Sequence, residues 1–165
     1  MAPQAVASEH FSPDATEFIR LLHKHEVRYV IVGGEAVIYY GHVRLTGDVD
    51  FFYALESSNI ERLFEALTEF WDAKIPGVHD IKDLGKKGQI IQFGLPPNRI
   101  DLINDVDGID FEEAWPSRTI TAIGSTRDPL PVIFIGLEQL VLNKRSVGRP
   151  KDLEDLRFLE GLVRP

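Results

Sequence analysis

The chain has 165 residues, 44% hydrophobic and 27% charged, which supplies one ordinary core and excludes wholesale disorder. Its net charge of −8 excludes the extensive basic surface of a non-specific nucleic-acid binder, though not a local basic site. The absence of cysteine excludes disulfides and cysteine-ligated metal centres. Residues 1–10 lack the basic start and apolar stretch of a secretory signal, and no run approaches the ~18 apolar residues of a membrane span. The expectation is a soluble cytoplasmic protein, without membrane attachment, folded as one domain over residues 1–165.

In chain order, the small and polar residues 1–12 are expected to fray. Ser12 or Asp14 can cap a helix running to about His25, with Phe18, Leu21 and Leu22 on its apolar face. Val27–Val32 is a continuous branched apolar run, as in a strand covered on both faces. Gly33 and Gly34 break it, and Glu35–Tyr40 reads as a short helix closed by Gly41. Asp48–Ala54 is the next strand, followed by a helix from Ser57 or Ser58 through Phe70.

Residues 71–87 are poorly patterned, with Pro76, Gly77 and Gly85 punctuating them. Gln89–Phe93 and Arg99–Ile103 read as strands joined by the turn 94–98. Asp110–Ala114 forms a helical turn, and Arg118–Ile123 and Pro131–Ile135 are further strands. A helical segment over 136–165 closes the chain. Its first helix is Leu137–Lys144 and its second is about Lys151 to Glu160, with Pro150 at the first position. This order describes an α/β or α+β fold with a mixed sheet flanked by helices.

The chemistry-bearing residues concentrate on this frame. Side chains alternate along a strand, so Asp48 and Asp50 project from one face while Val49 and Phe51 project from the other. Two neighbouring carboxylates repel each other and are costly to desolvate unless a cation lies between them. A hard divalent ion that also holds phosphate oxygens suits such a pair. The turn Gly33-Gly34 opens a helix whose backbone N–H groups can receive an anion. Asp101 is a lone acid in an otherwise apolar strand. If its strand lies beside that of Asp48 and Asp50, three carboxylates converge as a site for one or two Mg²⁺ ions.

The set Gly33-Gly34-Glu35-Ala36, Gly41, Arg44, Thr46, Asp48, Asp50 and the later Asp101 resembles the nucleotidyltransferase superfamily that includes DNA polymerase beta. Within it, the chain is similar to minimal nucleotidyltransferases and AbiEii-type toxins. The tail, Lys144 then Gly148-Arg149-Pro150-Lys151-Asp152 and Asp155-Leu156, resembles the lysine-then-RxKDxxD segment of the AbiEii-like chains. The resemblance implies transfer of a nucleoside monophosphate from a nucleoside triphosphate to an acceptor hydroxyl. It implies that Gly33 and Gly34 cradle the triphosphate and that Asp48 and Asp50 hold Mg²⁺. Asp101 would complete the metal site and assist deprotonation of the acceptor. Arg44, Thr46, Lys144, Arg149 and Asp152 fall among the implied nucleotide-binding positions. The acceptor could be a tRNA end, a protein side chain or a small molecule, and the toxin-like members bring an antitoxin partner into view.

Many superfamily members carry Gly-Ser in the turn, where this chain has Gly-Gly followed by Glu35, whose carboxylate would oppose a triphosphate unless it points away. Competing readings stand beside these expectations. Asp48 and Asp50 alone would fit a solvated edge strand, and Lys144, Arg145, Arg149 and Lys151 a solvated helix start, with Arg149 and Asp152 as a local ion pair. The same fold could serve as a catalytically inactive nucleotide-binding or protein-interaction module. A metal-dependent phosphohydrolase would normally bring several metal-binding histidines, and no such arrangement is recognisable. Asp105-Val106-Asp107-Gly108 is out of register for a calcium loop and reads as a turn.

Overall fold

A computed structural model describes residues 3–125 and 127–163. Its centre is a six-stranded mixed sheet in the order β3-β4-β2-β1-β6-β5. The strands are β1 (Tyr29–Val32), β2 (Asp48–Tyr53), β3 (Ile91–Phe93), β4 (Arg99–Ile103), β5 (Thr119–Ile123) and β6 (Leu130–Phe134). β1 is buried along its whole length, as its unbroken apolar run requires of a strand with helices on both faces. It runs antiparallel to β2 and parallel to β6. The expected mixed sheet flanked by helices is the observed one.

The helices are α1 (Pro13–Lys24), α2 (Gly33–Tyr39), α3 (Ser57–Phe70), the one-turn α4 (Phe111–Ala114), α5 (Leu137–Val147) and α6 (Pro150–Val163). The Ser12 hydroxyl accepts from the Ala15 amide, so α1 begins on a side-chain cap. Phe18 of α1 meets Phe51 of β2 edge-on, with ring centroids 5.2 Å apart. α1 and α3 therefore cover the face of β2 that carries Phe51. Asp48 and Asp50 project from the other face, where Phe52 meets Phe111 of α4.

Several boundaries differ from expectation. α2 starts at Gly33 itself, directly on the end of β1. Residues 71–87 contain a 3-10 helix at Ile81–Gly85, started by a reciprocal cap between Asp80 and Asp83. α5 runs three residues beyond Lys144, to Gly148 in the left-handed region at φ +66°, and α6 begins two residues later with Pro150. The leading segment, expected to fray, is held at Val6. That residue donates to Ala122 O at 2.8 Å, accepts from Gly124 N at 3.0 Å and bridges to Ile123. Among the described residues, no helix is long and apolar enough to cross a membrane.

Candidate functional site

The register of two strands builds the site. β2 and β4 are parallel neighbours that pair Asp48 with Arg99 and Asp50 with Asp101. Strand periodicity then puts all four side chains on one face, the face not covered by α1 and α3. One carboxylate oxygen from each of Asp48, Asp50 and Asp101 lies within 4.8 Å of the others. The convergence that depended on strand neighbourhood is thus present.

Arg99, which had no assigned role, stands over the acids. Its Nε donates to Asp101 Oδ1 at 2.8 Å, and its Nη2 donates to Asp48 Oδ2 at 2.8 Å and Asp101 Oδ2 at 3.1 Å. Gln92 Nε2 donates to Asp101 at 3.3 Å, and the Thr46 hydroxyl donates to Asp48 Oδ1 at 3.3 Å. The Asp50 carboxyl is pushed up to about 7 by burial, then by the charges of Asp48 and Asp101, against a lowering by Arg99. With all three acids ionised, the single guanidinium leaves a net charge of −2, which one divalent ion would neutralise. The donor set is all oxygen and hard, so the residues present fit Mg²⁺.

The glycine turn lies against this cluster. Gly33 has φ +68°, and a Cβ there would collide with the Asp50 carboxylate. The absence of a side chain at Gly33 is what lets the turn approach the acid. Gly33→Ala is expected to displace Asp50 and to weaken Mn²⁺ binding at least tenfold by calorimetry, a large effect because strain and collision act together.

A Cβ on Gly34 would lie 2.6 Å from Thr46 Oγ1 and 2.7 Å from an Arg44 Nη1. The space a serine would need is filled by a hydroxyl and a guanidinium from the following loop. That Arg44 nitrogen is buried and has no hydrogen-bond partner, an orphan donor of the kind an anion would satisfy. Glu35 is turned aside, its carboxylate held by His10 Nε2 at 2.6 Å. The same bond raises the His10 pKa, partly opposed by burial.

The tail residues divide into two groups. Lys144 is 3% exposed, and its Nζ lies 2.9 Å from Asp152 and 3.0 Å from Asp155, both also buried. The phosphate contact expected of Lys144 has no open ammonium to make it, since its charge is spent on two acids. Arg149, largely exposed, binds Asp152 through Nε at 2.6 Å, the local pair foreseen as the alternative. Burial raises the Asp152 pKa, but hydrogen bonds from Arg149 and Lys144 outweigh it and hold the group below its ordinary value. Asp155 continues the network to Arg44 Nε at 3.5 Å and His42 at 3.8 Å. Lys151 lines the same cavity as Asp48 and Arg99, so the start of α6 lies beside the triad.

Sequence reasoning assigned no role to Arg99, Asp155 or His10. Arg99 carried a readable signal, lying two residues before Asp101 and hence on the same strand face, and Asp155 carried one as the last acid of the tail motif.

A mixed sheet that presents three converging carboxylates beside a glycine turn defines the nucleotidyltransferase class. Over residues 13–162 the chain matches the family described as nucleotidyltransferase of unknown function (DUF6036), and it belongs to that family. No curated protein matches the chain significantly.

Proposed function

We propose that this protein transfers a nucleoside monophosphate from a nucleoside triphosphate to an acceptor hydroxyl, using one or two Mg²⁺ ions held by Asp48, Asp50 and Asp101. The observation that carries this reading is the β2–β4 register, which gathers three acids beside a side-chain-free turn. In the reaction the acceptor oxygen bonds to the α-phosphorus, the bond from that phosphorus to the bridging oxygen breaks, and pyrophosphate leaves. The acceptor proton passes to Asp101. Gly33 and Gly34 approach the triphosphate through their backbone, Arg44 and Thr46 beside them offer a guanidinium and a hydroxyl, and Arg149 adds an exposed charge. Bound Mg²⁺ would stabilise negative charge on the phosphoryl oxygens. Lys144 and Asp152 support the site from beneath as a buried ion pair.

The acceptor is a tRNA end, a protein side chain or a small molecule. The tail motif keeps an AbiEii-like kinship and a toxin role with an antitoxin partner within this proposal. The test is pyrophosphate release from each ribonucleoside triphosphate with Mg²⁺, with and without tRNA or cell lysate. Release that requires both Asp48 and Asp50, lost in the double alanine variant, is the expected result. Mg²⁺-dependent nucleotide binding without release from any mixture would favour a second reading, a binding module without turnover. The observation favouring that reading is that Arg99 already satisfies Asp48 and Asp101.

A further inference from the structure

Arg99 sits where the cation of the proposed reaction would be needed. Its guanidinium occupies Asp48 Oδ2 and both oxygens of Asp101, bridging strands β2 and β4. A guanidinium is a permanent cation, so it repels a second positive charge brought onto the same oxygens. Asp50, by contrast, makes no ion pair among the described residues. The site is therefore partly neutralised from within, and a metal entering it must share or take oxygens that Arg99 holds.

The arginine also has somewhere to go. It is partly exposed and lines an open cavity of about 460 Å³, together with Leu45, Thr46, Asp48, Pro96 and Lys151. Lys151 makes no ion pair among the described residues. A guanidinium swung off the acids would share this cavity with the Lys151 ammonium and with apolar Leu45 and Pro96. Two cations beside an apolar surface suit a phosphate that belongs to a nucleotide.

We propose that Arg99 is a built-in counter-ion that gives up Asp48 and Asp101 to the entering divalent cation and then binds a phosphate of the nucleotide in the adjoining cavity. This rests on the nucleotidyltransferase reading of the same site. It makes Arg99 a residue with opposite effects on the two ligands, which a merely structural arginine would not have.

The test is two titrations, neither of which needs turnover. Mn²⁺ binding is followed by the paramagnetic resonance of free Mn²⁺, in wild type, Arg99→Gln, Arg99→Lys and Asp50→Asn. At saturating Mn²⁺, binding of the α,β-methylene analogues of the four ribonucleoside triphosphates is then followed by calorimetry. Arg99→Gln is expected to bind Mn²⁺ about tenfold more tightly and the analogue about tenfold more weakly. Arg99→Lys, which keeps the charge without the two-pronged fork, is expected to fall between in both titrations, and serves alone should the glutamine variant not fold. Unchanged or weaker Mn²⁺ binding in the Arg99 variants, with wild-type binding intact and lost in Asp50→Asn, would overturn the counter-ion role and leave the metal site standing. No Mn²⁺ binding that depends on Asp50 in any variant would overturn the metal site itself, and this role with it.

Discussion

Asp50→Asn is expected to melt above the wild type in metal-free buffer while losing nucleotidyl transfer by a factor of ~10³ or more. The two effects have one cause. Burial and the neighbouring charges of Asp48 and Asp101 raise the Asp50 pKa from 3.8 to about 7. At roughly 1.4 kcal/mol per tenfold, the ionised form is disfavoured in the fold by ~4 kcal/mol. The sign follows from linkage. With the folded pKa above the unfolded one, the contribution is fully favourable below pH 3.8 and is lost as pH rises through about 7. Above that pH the metal-free wild type carries the whole penalty and the asparagine variant none. Allowing for relaxation around the amide, a gain of ~2 kcal/mol, or ~4–8 °C in Tm, is expected at pH 8. The gain should vanish at pH 4.

The check is thermal melting of both proteins at pH 4, 6 and 8, with and without Mg²⁺. Added Mg²⁺ should raise the wild-type Tm at pH 8 and leave the variant unmoved. Equal melting of the two proteins at pH 8 without metal would refute the strained-acid account. The strain has a functional sense, because Asp50, the acid of the triad that lacks a cation, is held ready for one.

Lys144→Ala is expected to destabilise the protein by ~3–5 kcal/mol, which for a domain of this size lowers Tm by on the order of 10 °C. The ammonium is enclosed between Asp152 and Asp155, and its removal leaves two buried acids facing each other. Arg149 holds the far side of Asp152, and Arg44 and His42 reach Asp155, so the loss spreads to the loop behind Thr46. The triple variant Lys144→Met, Asp152→Asn, Asp155→Asn removes the ammonium with both acids and should recover part of the loss, the remainder reflecting Arg44 and Arg149 left without their acids. Denaturant melts of the single and triple variants decide the matter. A Lys144→Ala protein that is stable but binds nucleotide weakly would return the lysine to phosphate contact.

The α2–β2 region shows how far the chain could be read directly. Gly33-Gly34, Asp48 and Asp50 were legible because strand alternation is local, and Asp101 because an acid in an apolar strand is anomalous wherever it pairs. The element order and the mixed sheet were legible for the same reason, since hydrophobic period and glycine or proline breaks are properties of short windows.

Other features required contacts between residues far apart in the chain. The sequence could not say that β2 and β4 are parallel neighbours in a register that sets Asp50 against Asp101. Nor could it say which cation serves which acid. Lys144 and Arg99 are both basic residues near acidic ones, yet one is enclosed between Asp152 and Asp155 and the other bridges the triad. The difference is one of burial and partner, which are settled by packing across the whole chain. The sequence by itself determined which groups with metal and phosphate chemistry the protein owns and which strand faces carry them. Only the tertiary structure decided which of them meet, because the distances between charges that control their energies are set by strand register and helix docking.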